Sequence, residues 1–193
     1  FFFFLGATAG YAQSLAIDQN PLFLTNAVDP RVMLVMSRDH QLYIKAYTDY
    51  SDLDEDGSID TTYNDAVGYS GYFDSGKCYT YTNSRFEPSR KVPDSASHAC
   101  GDTSEWSGNF LNWATMTRMD LVRKVLYGGY RSTDTTTETV LERVLLPYDV
   151  HSFAKVFKTA TTSEMRNFTP YAQTSISICN LTQGSGVSRS VNT

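Results

Sequence analysis

Residues 52–60 carry five acidic side chains in the pattern Asp-Leu-Asp-Glu-Asp-Gly-Ser-Ile-Asp. Carboxylates at alternate positions suit Ca²⁺, which prefers oxygen ligands, and the glycine after the third aspartate allows the sharp turn that a calcium loop needs. This spacing predicts a calcium site. The predicted ligands are the side chains of Asp52, Asp54 and Asp56, the backbone carbonyl of Ser58, and Asp60 directly or through water.

The twelfth position of this loop is Tyr63, where a helix-loop-helix calcium site has a bidentate glutamate. We therefore expect a non-helical extracellular loop of the DxDxDGxxD kind, with Asp65 or Asp49 as a substitute ligand. Ile59 is expected to hold the loop on the core. The alternative is a solvated acidic turn, because Asp-Gly pairs are common in turns. Five carboxyl groups in so short a segment repel one another unless a cation neutralises them, which favours the metal.

The chain has three cysteines, Cys78, Cys100 and Cys179. The first two lie in a segment rich in Tyr, Ser and Gly, and a bridge between them would stabilise it by about 3 kcal/mol. We predict that disulfide, with two free thiols as the alternative, and it leaves Cys179 without a partner in this sequence. Zinc is disfavoured because no Cys-x-x-Cys occurs and the three histidines are scattered.

With 193 residues the chain is long enough for one domain with a core. Sixteen basic against 21 acidic residues give a net charge of −5, which disfavours a nucleic-acid binder. Residues 1–12 have the apolar run and small residues of the end of a signal peptide, so we expect an exported protein whose α/β domain fragment is 13–193. No apolar run reaches the roughly 20 residues of a membrane span. The small-residue end of the chain is expected to be a truncation inside a loop of a longer protein.

Hydrophobic patterning predicts the elements. Residues 31–36 read as a buried strand, and 43–104 as a loop-rich insertion with a hairpin around 69–81. Residues 110–127 read as one helix that ends at Gly128. Residues 138–146 fit either a short helix or a strand. The buried face of the long helix is expected to comprise Phe110, Trp113, Ala114, Thr117, Leu121 and Val125.

Several strings occur in one order: MSRDHQL at 36–42, the acidic loop, GYFD at 71–74, SGNFLNW at 107–113, RKVLYGG at 123–129 and TVLER at 139–143. From roughly Pro30 to Lys158 the chain resembles the N-terminal region of the PilY/PilC family of type IV pilus tip-associated adhesins and biogenesis factors. The resemblance implies a von Willebrand factor A-like, Rossmann-type α/β core, incomplete here. A loop-rich insertion restrained by calcium and a disulfide would interrupt it.

The resemblance also implies a longer protein secreted through the periplasm and outer membrane of a Gram-negative bacterium to the cell surface or pilus tip. It would carry a C-terminal β-propeller with its own calcium site. Its implied partners are pilus subunits (minor pilins), a host or abiotic surface and the remainder of its own chain. The adhesion motif DxSxS of von Willebrand A domains is absent, since Met36-Ser37-Arg38-Asp39-His40 stands there, so no magnesium site is transferred.

These observations predict a non-enzymatic, calcium-binding segment that acts in pilus assembly and surface attachment. Tyr69, Tyr72, Tyr79 and Tyr81 would either contact a partner or pack against the insertion's own strands. One alternative is a calcium-stabilised secreted hydrolase that uses Ser37, Asp39 or His151. Another is a carbohydrate-binding module.

Overall fold

The structure is a computed structural model that describes residues 32, 33, 35, 39–101, 104–146 and 151–181. The chain divides into two units, Phe1–Ser37 and Arg38–Thr193, and every element below lies in the second. The signal-peptide prediction for 1–12 lies outside the described residues. The elements are a 3-10 helix at His40–Tyr43, β1 Lys77–Thr82, β2 Arg85–Lys91, β3 Trp106–Ser107, α1 Gly108–Thr115, α2 Arg118–Tyr127, β4 Arg131–Asp134, β5 Thr139–Leu141, β6 Phe153–Lys158, α3 Thr162–Phe168 and β7 Ser175–Asn180.

The strands of the described residues form three small sheets of order β2-β1-β3, β4-β5 and β6-β7, and every pairing is antiparallel. Mixed helices and strands agree with the predicted α/β class. The described residues do not form the expected von Willebrand factor A-like core, which needs parallel strands. Parallel strands require long crossover connections, whereas β1 and β2 are joined directly by a two-residue hairpin turn.

The predicted buried strand at 31–36 is wrong at the three positions that the structure describes. Val32, Met33 and Val35 belong to no strand and are 81–85% exposed. An apolar run becomes a buried strand only where a neighbouring strand supplies backbone partners, and no described strand pairs with these residues. The rest of this segment lies outside the described residues.

Among the described residues of the segment 43–104, one hairpin is present, β1–β2, and it lies later in the chain than predicted. Asn83 and Ser84 form its turn with φ of 51° and 61°, the left-handed pair that suits a two-residue hairpin. The predicted disulfide between Cys78 and Cys100 is present, with Cα atoms 5.8 Å apart and both residues buried. Cys179 is a free, exposed thiol.

The predicted helix at 110–127 is two helices, α1 and α2. Thr117 starts the second one: its hydroxyl accepts from the Asp120 backbone N–H at 3.2 Å, and the Asp120 carboxylate accepts from the Thr117 backbone N–H at 3.1 Å. This reciprocal capping box favours a new helix start over continuation of the first. Gly128, at a φ of 85°, ends α2 as predicted.

The break also changes which side chains are buried. Phe110 and Trp113 on α1 are in the core as expected, but Val125 on α2 is 84% exposed. A face extrapolated along one continuous helix fails beyond the break because α2 begins anew at its own cap, Thr117. The 138–146 segment, which fitted either a helix or a strand, contributes the strand β5.

An aromatic cluster forms the main core and positions α1 against α3 and β6. Its buried rings are Tyr63, Tyr69, Phe110, Trp113, Phe157 and Phe168, and most neighbouring pairs meet edge to face or at a tilt. Such pairs are worth about 0.5–1.5 kcal/mol beyond area burial. In the described parts of the chain, no helix has the length and apolar character needed to cross a bilayer.

Candidate metal centre

Residues 51–60 form a closed loop on the surface. The Asp60 backbone N–H donates to the Ser51 carbonyl at 3.0 Å, which brings the two ends together. Carboxylate oxygens of Asp52, Asp54 and Asp60 all lie within 4.8 Å of one another. Three of the five predicted ligands thus lie in one group. Carboxylate oxygens converging at this spacing are the hard ligands that Ca²⁺ prefers.

Backbone N–H groups of the loop point at its carboxylates. Asp52 accepts from the N–H groups of Asp56 at 3.1 Å and Gly57 at 2.9 Å. Glu55 and Gly57 make this curl possible by adopting left-handed backbone angles, with φ of 61° and 90°. Asp56 is outside the group of three, and its carboxylate accepts from the Ser58 N–H at 2.7 Å. Asp56 and Ser58 are therefore in the loop but are not assembled with the other predicted ligands.

Asn64 belongs to this site, although no pattern in the sequence selects it. Its side-chain Nδ2 donates to Asp54 at 2.8 Å and to Asp60 at 2.9 Å, so one amide group bridges two of the three clustered carboxylates. Within the described ranges, no Lys, Arg or His forms an ion pair with any acidic residue of the loop. Hydrogen bonds from neutral donors offset the repulsion only in part.

Other expectations about the loop are wrong. Ile59 is 61% exposed, and it is Leu53 that packs against the aromatic core while its backbone N–H donates to Asp60 at 2.8 Å. Asp49 lies outside the group of three, and Lys45 and Lys155 each bind one of its carboxylate oxygens. Asp65 is exposed and stands outside the group of three.

Asn109 on α1 holds the chain that follows the loop. Its Nδ2 donates to the Tyr63 hydroxyl at 3.0 Å and to the Val67 carbonyl at 2.8 Å, and its Oδ1 accepts from the Tyr69 N–H at 2.7 Å. Burial raises the pKa of the Tyr63 hydroxyl above its usual range. The Tyr69 hydroxyl in turn accepts from the Asn64 N–H at 3.4 Å, which connects α1 to the acidic loop.

Asn112 does the same one turn later. Its Nδ2 donates to the carbonyls of Tyr69 at 2.8 Å and Phe73 at 2.9 Å, and its Oδ1 accepts from the Phe73 N–H at 3.0 Å. Gly71 passes so close that a Cβ there would lie 2.2 Å from Asn112 Oδ1. The two asparagines of the SGNFLNW string, Asn109 and Asn112, therefore hold residues 63–73 against α1 by side-chain hydrogen bonds, and we call this pair the loop clamp. In the sequence, Asn109 and Asn112 stand three residues apart among apolar residues at the start of the predicted helix, which indicates two buried amides. No prediction from the sequence included them, although both are fully buried.

Lys155 on β6 anchors the chain just before the loop. Its side chain is completely buried, and its Nζ donates to the Tyr47 carbonyl and to Asp49 while lying 4.6 Å from the centre of the Trp113 ring. Burial lowers the pKa of the Lys155 ammonium. Lys45 binds the other oxygen of Asp49 at 2.6 Å, so two cations share one carboxylate.

Of the residues of the hydrolase alternative, the structure describes Asp39 and His151, and each has a different role or neighbour. The rings of His40 and His151 have centroids 5.7 Å apart, and Asp39 caps the 3-10 helix by accepting from the Gln41 N–H at 2.9 Å. Ser37 lies outside the described residues.

The four tyrosines differ in their surroundings. Tyr69 and Tyr79 are buried, Tyr72 is half-buried and Tyr81 is 43% exposed. The prediction that these tyrosines form an exposed contact surface is therefore wrong for Tyr69 and Tyr79. Both are buried, in agreement with the alternative that they pack inside the protein.

Comparison with known proteins gives the following matches. A family model described as "PilY1 homolog, small alpha/beta domain" matches residues 60–193. Two proteins of Xylella fastidiosa strain Temecula1, each named "Type IV pilus biogenesis factor PilY1 homolog", are 47% identical over 126 residues and 35% identical over 137 residues. These alignments cover 65% and 67% of this chain but only 8% and 10% of the relatives. No solved structure matches the chain.

Proposed function

The chain belongs to the PilY1 homolog family, and on this premise we propose that it is part of a secreted type IV pilus biogenesis factor and adhesin. It acts without enzymatic activity in pilus assembly and surface attachment at the cell surface or pilus tip of a Gram-negative bacterium. The match of the family model over residues 60–193 carries this proposal. The names of the two relatives support the assignment to pilus biogenesis.

The proposed partners follow from the same premise. They are pilus subunits (minor pilins), a host or abiotic surface, and the remainder of the protein's own longer chain. A von Willebrand factor A-like domain is proposed for that longer protein. The structure of the whole protein would test it.

We further propose that the acidic loop binds Ca²⁺ through Asp52, Asp54 and Asp60. The convergence of their oxygens within 4.8 Å supports a cation, since no basic side chain of the described residues forms an ion pair with these carboxylates. Asp56 and the Ser58 carbonyl complete the ligand set only if the loop tightens around the ion. A loop of this exposed, extracellular type binds Ca²⁺ with a dissociation constant of about 0.1–1 mM.

Calcium at this position would stabilise the fold because the loop is connected to the core at three places. Leu53 packs on the aromatic cluster, Asn64 connects through Tyr69 to the clamp on α1, and the Thr62 hydroxyl donates to the Val156 carbonyl of β6 at 3.1 Å. A cation that fixes the carboxylates therefore also fixes the chain that these contacts hold. The proposed role of the ion is structural.

The pilus assignment is tested with the full-length protein in a piliated bacterium. Deleting its gene should reduce surface pili and twitching motility, and a plasmid copy should restore both. A complementing copy that lacks residues 38–181 should fail although the shortened protein is made and exported. Normal piliation in the deletion strain, in the absence of a second family member, would contradict the proposal.

The calcium proposal predicts a measurable stabilisation. At about 1 mM Ca²⁺ and a dissociation constant of about 0.1 mM, binding adds about 1.4 kcal/mol to the free energy of unfolding, or about 4 °C in melting temperature. Calorimetric titration and thermal melts with and without chelator measure the two quantities.

The controls separate the loop from general charge effects. Asp54→Asn with Asp60→Asn should abolish both the binding heat and the thermal shift. Asp65→Asn removes an exposed carboxylate of the same segment but outside the cluster, and it should leave both intact. Equal heats for all three proteins would show that the cluster is not the site.

A further inference from the structure

Helix α2 exposes an apolar surface at its C-terminal end. The exposed fractions are 84% for Val125, 43% for Leu126, 52% for Tyr127 and 47% for Tyr130. We call these four residues, together with the exposed Lys124, the α2 surface. Monomeric proteins expose single large apolar side chains commonly, but clustering within a few residues marks an interaction site.

The fold does not need these side chains. Helix α2 is held by Met119 and Asp120, both buried, and by the capping box at its start. Gly129 packs closely against the Tyr72 ring, whose hydroxyl accepts from the Tyr130 N–H at 3.2 Å. The backbone of this segment is thus fixed, while its large side chains point away from the core.

The charge around this surface is positive although the chain carries a net charge of −5. Arg118 and Lys124 are exposed and have no ion-pair partner among the described residues, and Arg123 lies 5.5 Å from the centre of the Tyr130 ring. The one acidic residue of α2, Asp120, is buried and accepts from Thr117 and from the Val144 N–H.

Nearby acidic residues do not cancel this charge. Asp134 already pairs with Arg131 at 2.9 Å, and Glu142 is engaged in an interaction of its own. The exposed side of α2 therefore offers apolar and aromatic side chains flanked by available cations. Aromatic residues and arginine are enriched where interfaces carry most of their binding energy.

We propose that the α2 surface docks an acidic protein surface with an apolar centre, presented by a component of the pilus. This proposal rests on the pilus function proposed above and names the surface that serves it. A second copy of this chain is a poor occupant, because a two-fold contact through this surface would bring the exposed cations Lys124 and Arg118 of one copy close to those of the other. Carboxylates on the partner would instead pair with these cations, while Val125, which is seven residues after Arg118 and so on the same side of α2, enters its apolar centre.

The test uses the full-length protein expressed in a piliated strain that lacks the chromosomal copy. Sheared pili are sedimented, and the co-sedimenting fraction of the protein is measured for wild type, Val125→Ser and Lys124→Glu. Each substitution is expected to lower this fraction about tenfold. Val156→Ser, at a partly exposed valine on β6, is the matched control and should behave as wild type.

Identity and chemistry of the partner come from a photo-crosslinking residue placed at position 125. The expected product joins the protein to a pilus component through a peptide that contains Asp or Glu, and changing that acidic residue to Lys should restore sedimentation of the Lys124→Glu variant. Wild-type sedimentation of both variants would overturn the proposal, as would crosslinks only to lipid or to another copy of the chain. Absence of wild-type protein from the pilus fraction would instead refute the pilus function on which the proposal rests.

Discussion

Replacing Asn112 by aspartate is expected to lower the free energy of unfolding by about 3–5 kcal/mol. The two residues have the same shape, but aspartate cannot donate at neutral pH. Its carboxylate would face the Tyr69 and Phe73 carbonyls, which the Asn112 amide now satisfies at 2.8 and 2.9 Å. The substitution therefore leaves two carbonyls unpaired and places an uncompensated charge in a fully buried position.

The effect should depend on pH in a known direction. Burial beside carbonyl oxygens would raise the folded-state pKa of the new carboxyl above its unfolded value of about 3.9. The destabilisation is then smallest below about pH 4, where the group is protonated in both states, and grows as the pH rises through the interval between the two values. Denaturant unfolding at several pH values, always compared with wild type at the same pH, measures this.

Asn83→Asp is the matched control for Asn112→Asp. Asn83 lies in the exposed β1–β2 turn at a φ of 51°, a conformation that aspartate also tolerates. Its substitution should change stability by less than about 0.5 kcal/mol. A similarly small change for Asn112→Asp would mean that the loop clamp does not hold residues 69–73.

The sequence was informative where local chemistry decides the structure. Alternate carboxylates with a glycine identified the acidic loop, and Gly128 correctly ended α2, because both features depend on residues close in the chain. The Cys78–Cys100 disulfide was also predicted. A composition with few core contacts in that segment leaves little else to hold it.

The sequence was misleading where partners distant in the chain decide the structure. Helical periodicity ran through Met116 and Thr117 without a break, since Thr117 fitted the buried face of one continuous helix and Asp120 fitted its polar side. Leu53 and Ile59 are apolar residues near the two ends of the loop, and the sequence does not distinguish them. Only the position of the aromatic core determines that Leu53 is the one that packs. The role of Asn64 depends on the folded position of two aspartates, which no spacing rule contains.

Asp49 presents the second large effect. Asp49→Ala is expected to destabilise the fold by about 3 kcal/mol, because it leaves the fully buried Lys155 ammonium with only the Tyr47 carbonyl and the Trp113 ring. Lys155→Met should cost less than about 1 kcal/mol, since Asp49 then keeps Lys45 as its partner and the methionine fills the apolar space. Lys158→Met, at an exposed lysine on the same strand, is the control for removing a positive charge.

The pH dependence identifies the buried charge as the cause. Burial already lowers the Lys155 pKa, and loss of Asp49 should lower it further. Between the folded-state and unfolded-state pKa values, the unfolded chain therefore keeps a proton on Lys155 that the folded chain has released. The excess destabilisation of Asp49→Ala is then largest at neutral pH and shrinks as the pH rises toward the unfolded pKa of about 10.4. Thermal melts of variant and wild type at matched pH give this difference, and a constant difference up to that pH would contradict the account.

Asp49→Ala also tests whether Asp49 holds the two lysines or binds calcium. Asp49 was an allowed twelfth-position substitute on sequence grounds, whereas its two ammonium contacts leave it no part in the candidate calcium site. Folded Asp49→Ala protein should therefore give the calcium heat of the wild type within about twofold. If the variant folds but binds no calcium while Asp65→Asn binds normally, Asp49 must exchange its lysines for the ion, and the loop would then work as a competition between cations.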